Sequence, residues 1–165
     1  MANILIFDVA DVVCALPVDA IQEVLALPNL SRPPQVPAMI EGFFNLRGQI
    51  ATVLRVDRLL GLDGRGAVIY APLLLLRPDA LGTGTAPLTL LVDRVRGIQT
   101  ADATALLPVS GESSFNGCVV AELADVAPAT HLLAPERLVM EVERRAIIEY
   151  RAIAERRAGE LAIPA

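Results

Sequence analysis

The chain has no tryptophan, one histidine, two cysteines and only six aromatic rings among 165 residues. Each shortage removes a class of function. One histidine, His131, and two well-separated cysteines, Cys14 and Cys118, offer no zinc-ligand spacing. His131 stands between Thr130 and Leu132 in an apolar run, and no motif assembles a nucleophile and an orienting group around it as a hydrolytic triad requires. Ser110-Gly111-Glu112-Ser113-Ser114 lacks the Gly-x-Ser-x-Gly frame of a nucleophile elbow. Gly82-Thr83-Gly84 lacks both the Lys-Ser/Thr of a phosphate loop and the full dinucleotide fingerprint. Phe7, Phe43, Phe44, Tyr70, Phe115 and Tyr150 are too few for a base-stacking platform, and a net charge of −5 is not a basic footprint. No uninterrupted apolar run reaches the roughly 20 residues of a spanning helix; Ala71–Leu76 is the best and far too short. Met1–Asp8 lacks the basic segment of an export signal. The expectation is a non-catalytic cytoplasmic protein with no metal, no cofactor, no nucleic-acid partner and no direct membrane insertion. Cys14 and Cys118 read as buried free thiols, a disulfide being disfavoured in a reducing compartment.

What the chain does have is apolar material. Hydrophobic residues make up 54% of it, enough for the core of a single domain. Ile4–Val9 and Val12–Leu16 read as a hairpin around Ala10-Asp11, followed by a helical turn at Pro17–Ala20 and an extended Ile21–Leu27. Four prolines within Pro28–Pro37 require a loop. Gly42–Leu46 and Gln49–Arg55 pair around an Arg47-Gly48 reversal, where glycine supplies a positive φ. Val56–Leu60 reads as a short helix ended by Gly61. Val68–Arg77 predicts a long strand whose Leu73–Leu76 run is buried on both faces. Leu88–Val92 and Val95–Thr100 follow, then an irregular Ala103–Asn116, then closing strands at Gly117–Leu123 and Ala129–Leu133. About nine or ten short strands at this spacing favour barrels.

Glu136 to about Ile163 predicts a different element, a long helix rich in Ala, Glu, Arg and Leu. Val139, Val142, Ala146, Tyr150 and Ile153 share one face, and Glu141–Arg145 and Arg156–Glu160 fall at i,i+4. At 1.5 Å per residue it spans roughly 40 Å, more than a small barrel needs for a cap. Its first turns are expected to use Leu138, Val139 and Val142 against the body of the protein. From Ile147 onward, Ile148, Tyr150 and Ile153 become candidate contacts for self-association or a partner helix. The alternative is a helix that folds back along the first barrel or frays beyond Arg157.

Four segments, in order, carry a family resemblance over about residues 4 to 140: Leu16-Pro17-Val18-Asp19-Ala20-Ile21-Gln22-Glu23-Val24, Gly42-Phe43-Phe44-Asn45-Leu46-Arg47-Gly48-Gln49-Ile50, Leu91-Val92-Asp93-Arg94-Val95-Arg96-Gly97-Ile98 and Leu133-Ala134-Pro135-Glu136-Arg137-Leu138. Together they resemble the CheW-like family, the scaffolding couplers of bacterial chemotaxis arrays. The resemblance implies a mainly β fold of two intertwined five-stranded SH3-like β-barrels over residues 1–140, with the helix of 136–163 as an extension. It implies two partners, a chemoreceptor cytoplasmic tip and the regulatory domain of a CheA-type histidine kinase, and recruitment to membrane-associated receptor arrays. It places Arg47, Glu23, Asn45, Glu41 and Ile98 on the receptor side and Val18 and Ile21 on the kinase side. Glu23 would orient the Arg47 fork through a charge-assisted bond, the alternative being a purely structural surface bridge. Val18 and Ile21 fit either an apolar contact or their own core, and Glu41, just before Gly42, reads as a solvated charge ahead of a contact. Asp93 suits a turn or an arginine bond. Two departures stand out: Thr52 replaces a proline and Arg55 an aspartate. That inverted charge requires a different pairing, and a CheW-like module with another partner remains a second reading.

Overall fold

The computed structural model describes residues 2–64, 70–102, 106–108, 117–123 and 129–160. β1 (Ala2–Val9) and β2 (Val12–Pro17) pair antiparallel around Ala10-Asp11. Both turn residues take positive φ, 46° and 68°, without a glycine. Side-chain-free glycine is the usual choice there, and the Asp93 carboxylate compensates by accepting the Ala10 N–H at 2.9 Å. A 3₁₀ turn at Val18–Ala20 leads into β3 (Ile21–Ala26). After the proline-rich loop come β4 (Ile40–Leu46) and β5 (Gln49–Arg55), then α1 (Val56–Leu59), which stops before Gly61 at φ 73°. β6 (Pro72–Leu76), β7 (Leu88–Leu91), β8 (Arg94–Ala101), β9 (Leu106–Pro108), β10 (Val119–Leu123) and β11 (Thr130–Leu133) complete the strands. A 3₁₀ turn at Pro135–Arg137 precedes α2 (Glu141–Glu160).

The strands form two sheets, one in the order β8-β1-β2-β11-β10-β9 and the other β3-β6-β7-β5-β4. The first is built from both ends of the chain and the second from its middle. Each sheet contains one parallel pair, β2 with β11 and β5 with β7. The expected five and five strands therefore become six and five among the described residues. The additional strand is β9, inside the stretch Ala103–Asn116 that its composition suggested was irregular. Residues 103–105 and 109–116, including the Ser110–Ser114 segment and Phe115, lie outside the described residues, as do 124–128. The long strand expected from Val68 is also shorter. β6 starts at Pro72, Tyr70 is a turn residue at φ 64°, and residues 65–69 lie outside the described set.

One core joins the two sheets. Phe7, Leu16, Phe43, Leu54, Leu74, Leu90, Val119 and Leu133 all belong to it, so neither sheet buries its apolar face alone. Leu73–Leu76 are buried throughout, as their continuous run requires: Leu74 and Leu76 enter the shared core while Leu73 packs with Phe44, Ala51 and Val53 on the opposite face. Cys14 and Cys118 are free thiols within the core, and the Cys118 thiol donates to the Arg137 carbonyl at 3.1 Å. Burial pushes the Cys14 pKa up to about 12, helped by Asp8 and Cys118, and the Cys118 pKa up to about 11, helped by Glu143.

α2 corrects the expectation for the C-terminal helix. It begins five residues later than Glu136 and folds back on β4 and β5 rather than projecting from Ile147 onward. Ile147 and Ala154 are buried in the shared core, with Ala146 and Tyr150 packed beside them. The buried stripe is thus rotated from the one drawn through Ala146, Tyr150 and Ile153. Residues 161–165 and the side chains of Glu141, Val142 and Glu160 lie outside the described set, so neither expected i,i+4 pair is described. Among the described residues no helix is long and apolar enough to cross a membrane.

Candidate functional site

The β4–β5 reversal places two adjacent residues at positive φ, Arg47 at 51° and Gly48 at 90°. That geometry matches the twist of a two-residue hairpin. Asn45 locks it by accepting the Gly48 N–H on its side-chain oxygen at 2.8 Å. Its role in this structure is to hold the turn. A Cβ at Gly48 would meet nothing, so the glycine answers to backbone conformation and not to crowding.

Arg47 projects from this turn with its side chain 65% exposed, and its Nη2 donates to Glu23 Oε1 at 2.7 Å. Glu23 lies on β3 and Arg47 at the β4–β5 tip, so the bond links elements from opposite edges of the five-stranded sheet. The sheet must curl to bring them together. An exposed pair of this kind contributes only about 0–1 kcal/mol to stability. Its larger consequence is orientational, because one Nη2 donor is held by Glu23 while the side chain stays mostly exposed. Beside it opens a cleft lined by Gln22, Leu46, Arg47, Gln49, Pro78 and Pro87.

Glu41 is not a solvated charge. Its side chain is largely buried, paired with Arg32 Nη2 and 3.7 Å from Arg55 Nε, while Arg32 Nε also donates to the Glu41 carbonyl at 2.9 Å. Arg55 in turn makes a two-point contact with Asp57, Nε to Oδ1 at 3.2 Å and Nη2 to Oδ2 at 2.7 Å. Asp57 also accepts the Arg58 N–H at 2.8 Å. Four alternating charges, Arg32, Glu41, Arg55 and Asp57, therefore form one chain. The bond to Asp57, with the Asp57 and Glu41 charges and against the lowering effect of burial, raises the Arg55 pKa above its ordinary value. The inverted charge at position 55 is answered two residues later in the sequence and by Glu41 on the neighbouring strand. Gly64 lies so close that a Cβ there would meet Asp57 Oδ2 at 2.0 Å.

The other expected contacts are dispersed. Ile98 is 66% exposed on β8, an edge of the six-stranded sheet, and is not among the residues lining the Arg47 cleft. Val18 is half-buried in its 3₁₀ turn, whereas Ile21 is buried in the shared core and offers no exposed apolar contact in the free chain. Asp93 serves the β1–β2 turn; the arginine bonds near it go to Asp8, from Arg94 Nε at 3.1 Å and Arg96 Nε at 2.7 Å. On α2, Ile148 is exposed and Ile153 half-buried, but Tyr150 is engaged within the chain, its hydroxyl donating to the Gln35 carbonyl at 3.2 Å. Among the described residues no group of acidic, histidine or cysteine side chains is arranged to hold a metal.

Sequence reasoning did not find two contributors to this site. One is the β6–β7 loop, whose Pro78, Thr85, Ala86 and Pro87 form a wall of the cleft. The other is the far end of α2, where Glu155 and Ala158 share a second depression with Asn45, Gly48 and Ile50. The available signal was Arg144 and Arg151, seven residues apart and so on one face of the helix.

A family model described as CheW-like domain matches residues 3–139. The crystal structure of scaffolding protein TtCheW from Thermoanaerobacter tengcongensis is similar with a TM-score of 0.72 at 21% sequence identity, covering 84% of this chain and 88% of that one. At that identity the likeness is one of fold. No curated protein matches the chain. α2 begins just past the matched residues.

Proposed function

The chain belongs to the CheW-like family, and on that footing we propose that it is a non-catalytic scaffold coupling chemoreceptors to a CheA-type histidine kinase in chemotaxis signalling. In this reading residues 1–140 are the coupling module, with the two sheets as walls of its two barrel subdomains, and 136–163 is an extension. A receptor's helical cytoplasmic tip meets the Arg47 cleft, with Glu23 and Asn45 positioning the arginine. The kinase regulatory domain meets the flank carrying Val18, supported from beneath by Ile21. The protein works in the cytoplasm at receptor arrays.

The observation that carries the reading is Arg47, exposed at the mouth of an open cleft and aimed by Glu23 at 2.7 Å. A guanidinium held in this way presents directional donors to a carboxylate or to helix-terminal carbonyls. Arg47→Ala removes one charge-assisted bond, and receptor-tip affinity should fall about ten- to a hundredfold with unchanged melting. Titration of a receptor signalling tip, made as a soluble coiled coil, measures this. Equal affinity for wild type and variant at moderate salt would refute the assignment.

A second reading, a CheW-like module serving a different partner, is favoured by the Arg55 ion chain and by α2. A pull-down with the kinase regulatory domain separates the two. Capture supports coupling, and its absence alongside intact folding supports the other partner.

A further inference from the structure

Three side chains fasten α2 to loops that lie far from it in sequence. Tyr150 donates to Gln35 in the proline-rich loop. Arg144 Nε donates to the Leu81 carbonyl at 3.1 Å, and Arg151 Nη1 to the Thr83 carbonyl at 3.2 Å. Both arginine bonds land on the β6–β7 loop, the same loop that supplies Pro78, Thr85, Ala86 and Pro87 to the wall of the Arg47 cleft. The loop is also tied within itself, the Ala80 N–H donating to the Arg77 carbonyl at 3.1 Å and the Gly82 N–H to the Asp79 carbonyl at 3.1 Å. Asp79 and Gly84 bond across its base, by N–H to carbonyl and by N–H to side chain, and Leu81 is buried in the core. Its backbone reaches positive φ at Asp79, Gly82 and Gly84. The fit to the helix is close: a Cβ at Gly82 would stand 3.2 Å from Arg144 Nε.

We infer that Arg144 and Arg151 are positioning residues for the partner cleft, holding the β6–β7 loop in place so that α2 forms part of the binding apparatus. This rests on the reading of the Arg47 cleft as the receptor site. Guanidinium-to-carbonyl bonds are charge-assisted and stronger than neutral ones, and two of them on alternate residues of a short loop fix its path. α2 lies just past the matched residues 3–139, so the restraint comes from outside the matched domain. Glu155 and Ala158 on the last turns continue the same face toward the Asn45–Gly48 turn, so the helix also borders the site directly.

The test compares full-length wild type, Arg47→Ala, Arg144→Met/Arg151→Met and Arg144→Lys/Arg151→Lys. Each is titrated with the same soluble receptor-tip coiled coil, and amide exchange is followed across residues 79–84. Methionine keeps the aliphatic packing and removes the donors, whereas lysine restores a cationic donor. The methionine pair should bind about two- to thirtyfold more weakly with faster exchange in the loop, and the lysine pair should recover both. Arg151→Met alone, with Arg144 retained, serves if the pair melts below the assay temperature. If Arg47→Ala weakens binding while the methionine variants bind and exchange like wild type, the inference fails and the receptor reading stands. If wild type does not bind the tip at all, the receptor reading fails and this inference with it.

Discussion

Removing the Arg55 guanidinium tests whether the ion chain is structural. In Arg55→Met the carboxylate of Asp57, only 10% exposed, loses both of its arginine bonds and keeps the Arg58 N–H alone. Glu41 loses its weaker contact at 3.7 Å but retains Arg32. Breaking a buried pair by deleting one partner costs about 3–5 kcal/mol, because the surviving charge stays desolvated. Here only Asp57 is stranded, which puts the expected loss near the lower end, about 3 kcal/mol. For a domain of this size that is a fall in melting temperature of about 6–12 °C. Circular dichroism melts of wild type, Arg55→Met and Arg55→Met/Asp57→Asn measure it. Asparagine keeps an acceptor for the Arg58 N–H and removes the stranded charge, so the double variant should regain most of the loss. A single variant that melts within 2 °C of wild type would refute the argument at the level of about half a kcal/mol. So would a double variant no better than the single, since the loss would then not arise from a stranded carboxylate.

Thr52 is buried with its hydroxyl unbonded, while its carbonyl accepts from Thr89 at 3.1 Å. Thr52→Val keeps the shape and deletes the orphan, and denaturant unfolding should show a gain of about 1 kcal/mol; a loss would mean that the hydroxyl has a partner. The two buried thiols make stability depend on alkaline pH. Their folded pKa values, about 12 and about 11, lie above the ordinary 9.0, so their contribution is complete below pH 9 and is lost as pH rises toward 11–12. Unfolding free energy should fall by about 1.4 kcal/mol per pH unit per thiol across that window, and Cys14→Ala/Cys118→Ala should flatten the slope; parallel slopes would count against burial of the thiols. With its apolar stripe used internally, the full chain should scatter light as a monomer at micromolar concentration. Truncation after Glu149 removes Arg151 and Ala154 and should lower the melting temperature, whereas a concentration-dependent dimer in the full chain would return Ile148 and Ile153 to an interface.

Local chemistry was legible wherever it dictates local geometry. The Arg47-Gly48 reversal, the proline loop, the Gly61 stop and the doubly buried Leu73–Leu76 run each follow from residues within a few positions of one another. β9 was not legible because three residues, Leu106-Leu107-Pro108, have no period to display and take their strand form from β10. The sequence left the position of α2 open between projection and fold-back for a related reason. An apolar stripe at helical spacing says that a surface covers it but not whose, and the choice between stripes through Ile147 or Ile153 depends on the sheet beneath. At the site, the Glu23–Arg47 bond was anticipated from a family resemblance, since no spacing rule joins a β3 residue to a distant turn. The odd sign at Arg55 was visible as a conflict, but its resolution through Asp57 required the geometry.

The route of the chain through its two sheets has a consequence for biosynthesis. β3 to β7 are contiguous in sequence, so the five-stranded sheet has every strand available once Leu91 has left the ribosome. The β1–β2 hairpin is made first yet has to wait. Its outer neighbour β8 pairs Ala101 with Ala2, and on its other side β11 pairs Thr130 with Val13. Until those strands emerge, the hairpin has two open edges, and Phe7, Cys14 and Leu16 lack Cys118, Val119 and Leu133 from the core they share. Long-range pairing of this kind closes slowly, and unpaired edges are where nascent chains associate wrongly. A ribosome stalled before β11 would therefore hold a middle sheet with all its strands present and a first hairpin with one edge still open.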